Sequence, residues 1–160
     1  LLDCASLDQA RTELARAAAL GFGAGSNIAC VDAGGDTACF ELAPGGWAEW
    51  PGADGRIAHS NHYLSPALQA LQAPMGAALS TGSRLATACR HGEGGLVGRE
   101  RLERFLRDTG DGYLAVCRHP DPALAPEARV ESVAGVMIDI TAREMWVAPG
   151  VPDTVAFERV

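Results

Sequence analysis

The chain has no lysine; all thirteen of its basic residues are arginine. That excludes a phosphate-loop lysine, a Schiff-base lysine and a Ser–Lys dyad within the chain. Basic excess is lacking as well. A net charge of −7 argues against a nucleic-acid partner, whose footprint is clustered positive charge. The sequence holds no apolar run of roughly 18 residues or more, so no membrane span is expected. It also lacks C-x-x-C spacing: Cys4, Cys30, Cys39, Cys89 and Cys117 are scattered and odd in number. Such a set implies reduced thiols in a cytoplasmic protein, not a disulfide framework. No G-x-S-x-G elbow supports a serine triad. Gly21-x-Gly23-x-Gly25 follows a helical pattern and not a strand, so it fails as a dinucleotide fingerprint.

What is present is an ordinary globular composition, 48% hydrophobic and 21% charged over 160 residues. That length suffices for a real core, and no repeat or domain boundary is visible, so residues 1–160 read as one domain. The chain begins Leu1-Leu2-Asp3, without Met, which suggests a fragment or a processed product.

Ser6 and Gln9 form a capping box, followed by Leu7, Ala10, Leu14, Ala17 and Ala18 at helical spacing and by Gly21 as the stop. Two strands, Asn27–Val31 and Thr37–Leu42, flank the turn Asp32–Asp36 as a hairpin. Trp47–Trp50 is a third strand. Pro51–Gly55 turns the chain into a fourth, Ile57–Tyr63, so that residues 26–62 read as an antiparallel meander. Ser65-Pro66 opens a short helix to about Leu71. Pro74–Gly95 has no clear period. A helix over Gly98–Asp108 carries the stripe Leu102, Phe105, Leu106. Tyr113–Arg118 reads as a buried strand ending in a charge. Val130–Ile138 and Met145–Ala148 are strands joined near Thr141-Ala142-Arg143, and Thr154–Glu158 is an edge strand. Val133–Ile138 is apolar on both faces and calls for cover on both.

The chemistry-bearing residues converge on Ile57–Tyr63, where Asn61 sits between two imidazoles. A carboxamide at a strand end can aim its N–H at a developing oxyanion with no change of protonation; the plainer role is to form a turn. Arg118 supplies a fixed cation able to organise a carboxylate or lower a thiol's pKa. For zinc, His59, His62, Cys89 and His91 are candidate ligands, but they lack ligand spacing. Cys117 reads as a buried inert thiol. The sequence thus offers stabilisers without an evident attacking group.

An ordered set of segments carries a resemblance. His59-Ser60-Asn61-His62-Tyr63-Leu64-Ser65-Pro66, Ser83-Arg84, Val116-Cys117-Arg118-His119-Pro120, Ser132-Val133-Ala134 and Met145-Trp146-Val147-Ala148-Pro149-Gly150 come in the order seen in the C45 peptidase family. These are proteins similar to acyl-CoA:6-aminopenicillanic acid acyltransferase. The resemblance implies an α+β, four-layer αββα N-terminal-nucleophile hydrolase, of which this chain resembles the C-terminal part. It implies a cysteine nucleophile freed by self-cleavage, on an upstream segment of the same precursor. Asn61 then matches the oxyanion donor and Arg118 the cation beside the nucleophile, with His62 and Tyr63 as candidate substrate-binding residues. The implied substrate is a small-molecule amide or thioester. Acyl-CoA is a possible donor, and no cofactor or metal is implied. Cys4 falls at the start of the first helix and does not match the nucleophile, and Ala115 replaces a Ser common in the family. The alternative is a non-catalytic partner subunit or an inactive gene product.

Overall fold

A computed structural model describes residues 1–52, 55–72, 80–95 and 97–160. The protein is α+β, with two antiparallel three-stranded sheets and four α-helices among the described residues. Contacts divide it into two compact units, Leu1–Gly76 and Ala77–Val160.

The first unit begins with α1, Leu7–Ala18. Ser6 caps it by accepting from Gln9 N, and Gln9 Oε1 returns an acceptor to Ala5 N. The sheet is an up-and-down meander of β1 (Ser26–Val31), β2 (Thr37–Ala43) and β3 (Gly46–Trp50). Its first turn is tied by the Asp32 carboxylate, which accepts from Gly34 N and Asp36 N, while Gly35 adopts φ +91°. Strand β2 is central and buried on both faces. Its period of two sends Ala38, Phe40 and Leu42 towards α1, where they join Leu7, Ala10 and Leu14 in the core. Phe40 meets Trp47 edge to face, with ring centroids 5.7 Å apart. Arg11 of α1 grips Glu49 of β3 with two hydrogen bonds of 2.8 Å, fixing the helix on the sheet.

The expected fourth strand, Ile57–Tyr63, is not formed. Those residues run as an irregular loop into α2, Pro66–Gln69. The physical reason is that they cover the second face of β2 instead of extending the sheet edge. Of the turn Pro51–Gly55, Ala53 and Asp54 lie outside the described residues.

The second unit opens with α3, Thr81–Gly92, where no period was visible in the sequence; residues 73–79 of that segment lie outside the described residues. Helix α4 (Arg99–Leu106) follows, then a 3₁₀ turn at Gly112–Leu114. Tyr113–Arg118 is therefore not a strand. It leaves the 3₁₀ turn as an irregular run, anchored where Cys117 N donates to Asp108 O and Arg118 N to Ser132 Oγ. Strands β4 (Gly135–Asp139), β5 (Glu144–Ala148) and the short β6 (Glu158–Arg159) make the second sheet. Residues 130–134, expected to be strand, precede β4 as irregular chain. One face of β4 is covered: Met137 is buried, and the Phe157 ring lies so close to Gly135 that a Cβ there would sit 2.8 Å from it. The other face is open, with Val136 48% and Ile138 62% exposed. The cover expected on both faces is thus present on one. The helix–strand contact of α4 and β4 and the Phe157 segment serve that one face.

Candidate functional site

The second face of β2 carries Cys39 and Glu41, and Glu41 is fully buried. A carboxylate there demands donors, and the loop after residue 57 provides them. Glu41 Oε1 accepts from Leu64 N at 2.5 Å and faces His59 Nε2 at 2.6 Å; Oε2 accepts from Ser65 N at 2.8 Å. His59 Nδ1 faces Ser60 O at 2.6 Å, and that carbonyl also accepts from Asn27 Nδ2. Both ring nitrogens of His59 thus lie within hydrogen-bond distance of an oxygen, which fixes the ring between β2 and the loop. Cys39 beside this carboxylate has its thiol pushed up to about 11, by burial first and by the Glu41 charge second.

Asn61 and His62 stand at the crest of the loop, Asn61 exposed and His62 half-buried. The chain is pinned on both sides of them: before by His59 and Ser60, after by Tyr63, Leu64 and Ser65. Tyr63 N donates to Gln72 Oε1 at 2.9 Å and its hydroxyl to Leu42 O at 2.8 Å. Gly25 makes that last contact possible, because a Cβ there would lie 2.5 Å from the hydroxyl. The Ser60 hydroxyl is buried with no hydrogen-bond partner among the described residues.

Asn61, His62 and Tyr63 belong to the first unit and Arg118 to the second. Arg118 is half-buried, its backbone locked by exchange with Ser132: Arg118 N donates to Ser132 Oγ and Ser132 N to Arg118 O, both at 3.0 Å. Its charge reaches Arg84 of α3. Burial first, and the Arg118 charge second, hold the Arg84 guanidinium below its usual range.

Of the residues weighed as zinc ligands, His59 and His62 belong to the first unit and Cys89 and His91 to the second. His59 is spent on Glu41, His91 Nε2 lies 3.1 Å from Asp108 and its ring packs on Phe105, and Cys89 is exposed. Burial pushes the Asp108 carboxyl up, but hydrogen bonds from His91 and Gly110 outweigh it and hold it below its usual range.

A different trio does come together. Cys117 Sγ donates to Asp153 Oδ1 at 3.4 Å, and His119 Nε2 lies 2.8 Å from Asp153 Oδ2. The sequence signal was Cys117-x-His119; its third member stands 34 residues beyond His119, too far for spacing to reveal. Asp153 lies between thiol and imidazole, so this is not a Cys–His nucleophile pair. Burial first raises the Cys117 thiol, and the Asp153 charge adds to it, which keeps the sulfur protonated. The His119 hydrogen bond in turn lowers the Asp153 carboxyl.

No family model matches the sequence, and no curated protein matches it either. Among the described residues no helix is long and apolar enough to cross a membrane.

Proposed function

We propose that this chain carries the stabilising residues of a cysteine-dependent, N-terminal-nucleophile acyltransferase or amidohydrolase of the four-layer αββα kind. Asn61 donates to the oxyanion, and Arg118, with Arg84 beside it, meets negative charge on the substrate or nucleophile. His62 and Tyr63 border the substrate, a small amide or a thioester such as an acyl-CoA. The attacking cysteine belongs to an upstream segment of the same precursor, and the reaction runs in the cytoplasm, in keeping with five free thiols.

The observation that carries this reading is the pinned loop. An exposed carboxamide is held between two sets of hydrogen bonds, most of them anchored on the first sheet at Asn27, Glu41 and Leu42. Such a donor is oriented before substrate arrives, which is what oxyanion stabilisation requires. The open apolar face of β4 further suits a fold in which another layer lies over the sheet.

The test is Asn61→Ala and Asn61→Asp in the enzyme that includes the upstream segment. Loss of the donor should lower kcat by about 10²–10³ and leave KM nearly unchanged. Asn61→Asp replaces the N–H by a carboxylate that repels the oxyanion, and should be at least as severe. Near-normal kcat in a folded Asn61→Asp protein removes Asn61 from the mechanism.

A further inference from the structure

The trio Cys117, His119 and Asp153 lies outside the proposed acyl-transfer machinery, and its side chains are arranged as metal ligands. Their ligating atoms all lie within 4.8 Å of one another. The edge of a tetrahedral zinc site is roughly 3.3–3.8 Å, given bonds of about 2.0–2.3 Å. The sulfur-to-oxygen separation of 3.4 Å already falls in that range. The nitrogen-to-oxygen separation of 2.8 Å needs only a small opening.

We propose that Cys117 Sγ, His119 Nε2 and the Asp153 carboxylate bind a single Zn²⁺ ion. Thiolate, imidazole and carboxylate together select a borderline-soft divalent ion over Mg²⁺ or Ca²⁺, which take oxygen ligands. The ion takes the place of the protons that now bridge Asp153 to the thiol and the imidazole. The thiol proton leaves to solvent, and the proton on His119 Nε2 is exchanged through water onto Nδ1, so that the neutral ring coordinates through Nε2.

The backbone around the trio is fixed. Cys117 N donates to Asp108 O at 2.9 Å, and Ser132 clamps the next residue. The Pro149–Asp153 turn that delivers Asp153 is closed by Gly150 N on Ala148 O and by Thr154 N on Val151 O. Cys117 and His119 also line a pocket of about 220 Å³, with Tyr113 and Asp121 on its wall. Three protein ligands and an adjoining pocket leave the fourth position to water, the pattern of an open site and not of a closed structural one.

The experiment is a titration of the reduced full chain with Zn²⁺ against a chromogenic chelator, and with Co²⁺ as a spectroscopic probe. One equivalent should bind, and Co²⁺ should show a thiolate-to-metal charge-transfer band. Cys117→Ala, His119→Gln and Asp153→Asn should each weaken binding by more than roughly 100-fold, the upper end for changes that only support a ligand. Cys117→Ala should also abolish the band. Cys89→Ser, at an exposed thiol, should change nothing. His119 is half exposed, so His119→Gln keeps the test decisive even if Cys117→Ala disturbs the fold. Failure of the wild-type chain to take up Zn²⁺ overturns the proposal, as does equal binding by His119→Gln and Asp153→Asn, which would place the metal on other thiols.

Discussion

Glu41 is the residue on which the first unit's loop depends. Its carboxylate is fully buried on a central strand and accepts two backbone N–H groups while facing an imidazole. Glu41→Gln keeps the shape, removes the charge, and turns one acceptor into a donor aimed at other donors. Leaving a buried donor without its acceptor costs about 1–3 kcal/mol. Urea unfolding should register that loss, and the amides of Leu64 and Ser65 should lose their protection against hydrogen exchange. Unchanged protection at both amides would mean that the loop holds Asn61 without Glu41. None of this was legible in the sequence, where Glu41 is one acidic residue inside an apolar strand. Its partners lie 18 to 24 positions away, and only folding shows that the strand's second face is roofed by polar backbone. Asn61 stands out in the sequence as an amide between two imidazoles. Its setting was misread: alternation suggested a strand, but the backbone donors of residues 64 and 65 are drawn to a carboxylate on another strand.

At the scale of elements, regular patterns translated well. The capping box, the hairpin about Asp32–Asp36 and the third strand stand where apolar spacing and turn residues put them. Helix α3 was missed because its organising stripe is polar. Ser83, Thr87 and His91 recur every four residues on one face. Ser83 and Thr87 donate to the Asp111 carboxylate, and His91 pairs with Asp108. A search for apolar periodicity cannot see such a helix, and Gly82, Thr81 and Thr87 argue against it by propensity. Its stability must then come from the turn it docks on. Asp111→Ala should cost about 1–2 kcal/mol through the lost bonds to a charged acceptor, and should reduce helical circular dichroism. Full retention of α3 amide protection in that variant would show that the stripe is incidental. The strand expected at Tyr113–Arg118 failed for the converse reason. Alternating side chains suit a strand, but Gly112 at φ +59° and the pull of Asp108 O on Cys117 N bend the run into a turn.

At the scale of the molecule, the two units differ in how they use apolar residues. The first concentrates them: Leu7, Ala10, Leu14, Ala38, Phe40 and Leu42 form one buried cluster around a T-shaped aromatic pair. Among its described residues the second buries mainly small apolar side chains, Ala115, Cys117 and Ala148, with Met137 as the largest. Its larger aliphatics Val133, Val136, Ile138 and Ile140 stay exposed. Burial stabilises by about 25 cal/mol per Å² of apolar surface, so the second unit draws less from its own core. Charged stems partly stand in for that core: Arg99 lies over Trp146 at 5.1 Å and Arg107 over Phe157 at 5.3 Å. The expected consequence is unequal stability within one chain. Trp47 and Trp50 report on the first unit and Trp146 on the second. With Trp146→Phe in one sample, and Trp47→Phe with Trp50→Phe in another, fluorescence during urea unfolding should resolve two transitions, the Trp146 signal changing at lower urea. Amides of Ala38–Phe40 should be the last to exchange. Coincident midpoints would mean that the exposed aliphatic face of β4 is not a weakness of the folded chain, and that the second unit's stability has a source other than its buried residues.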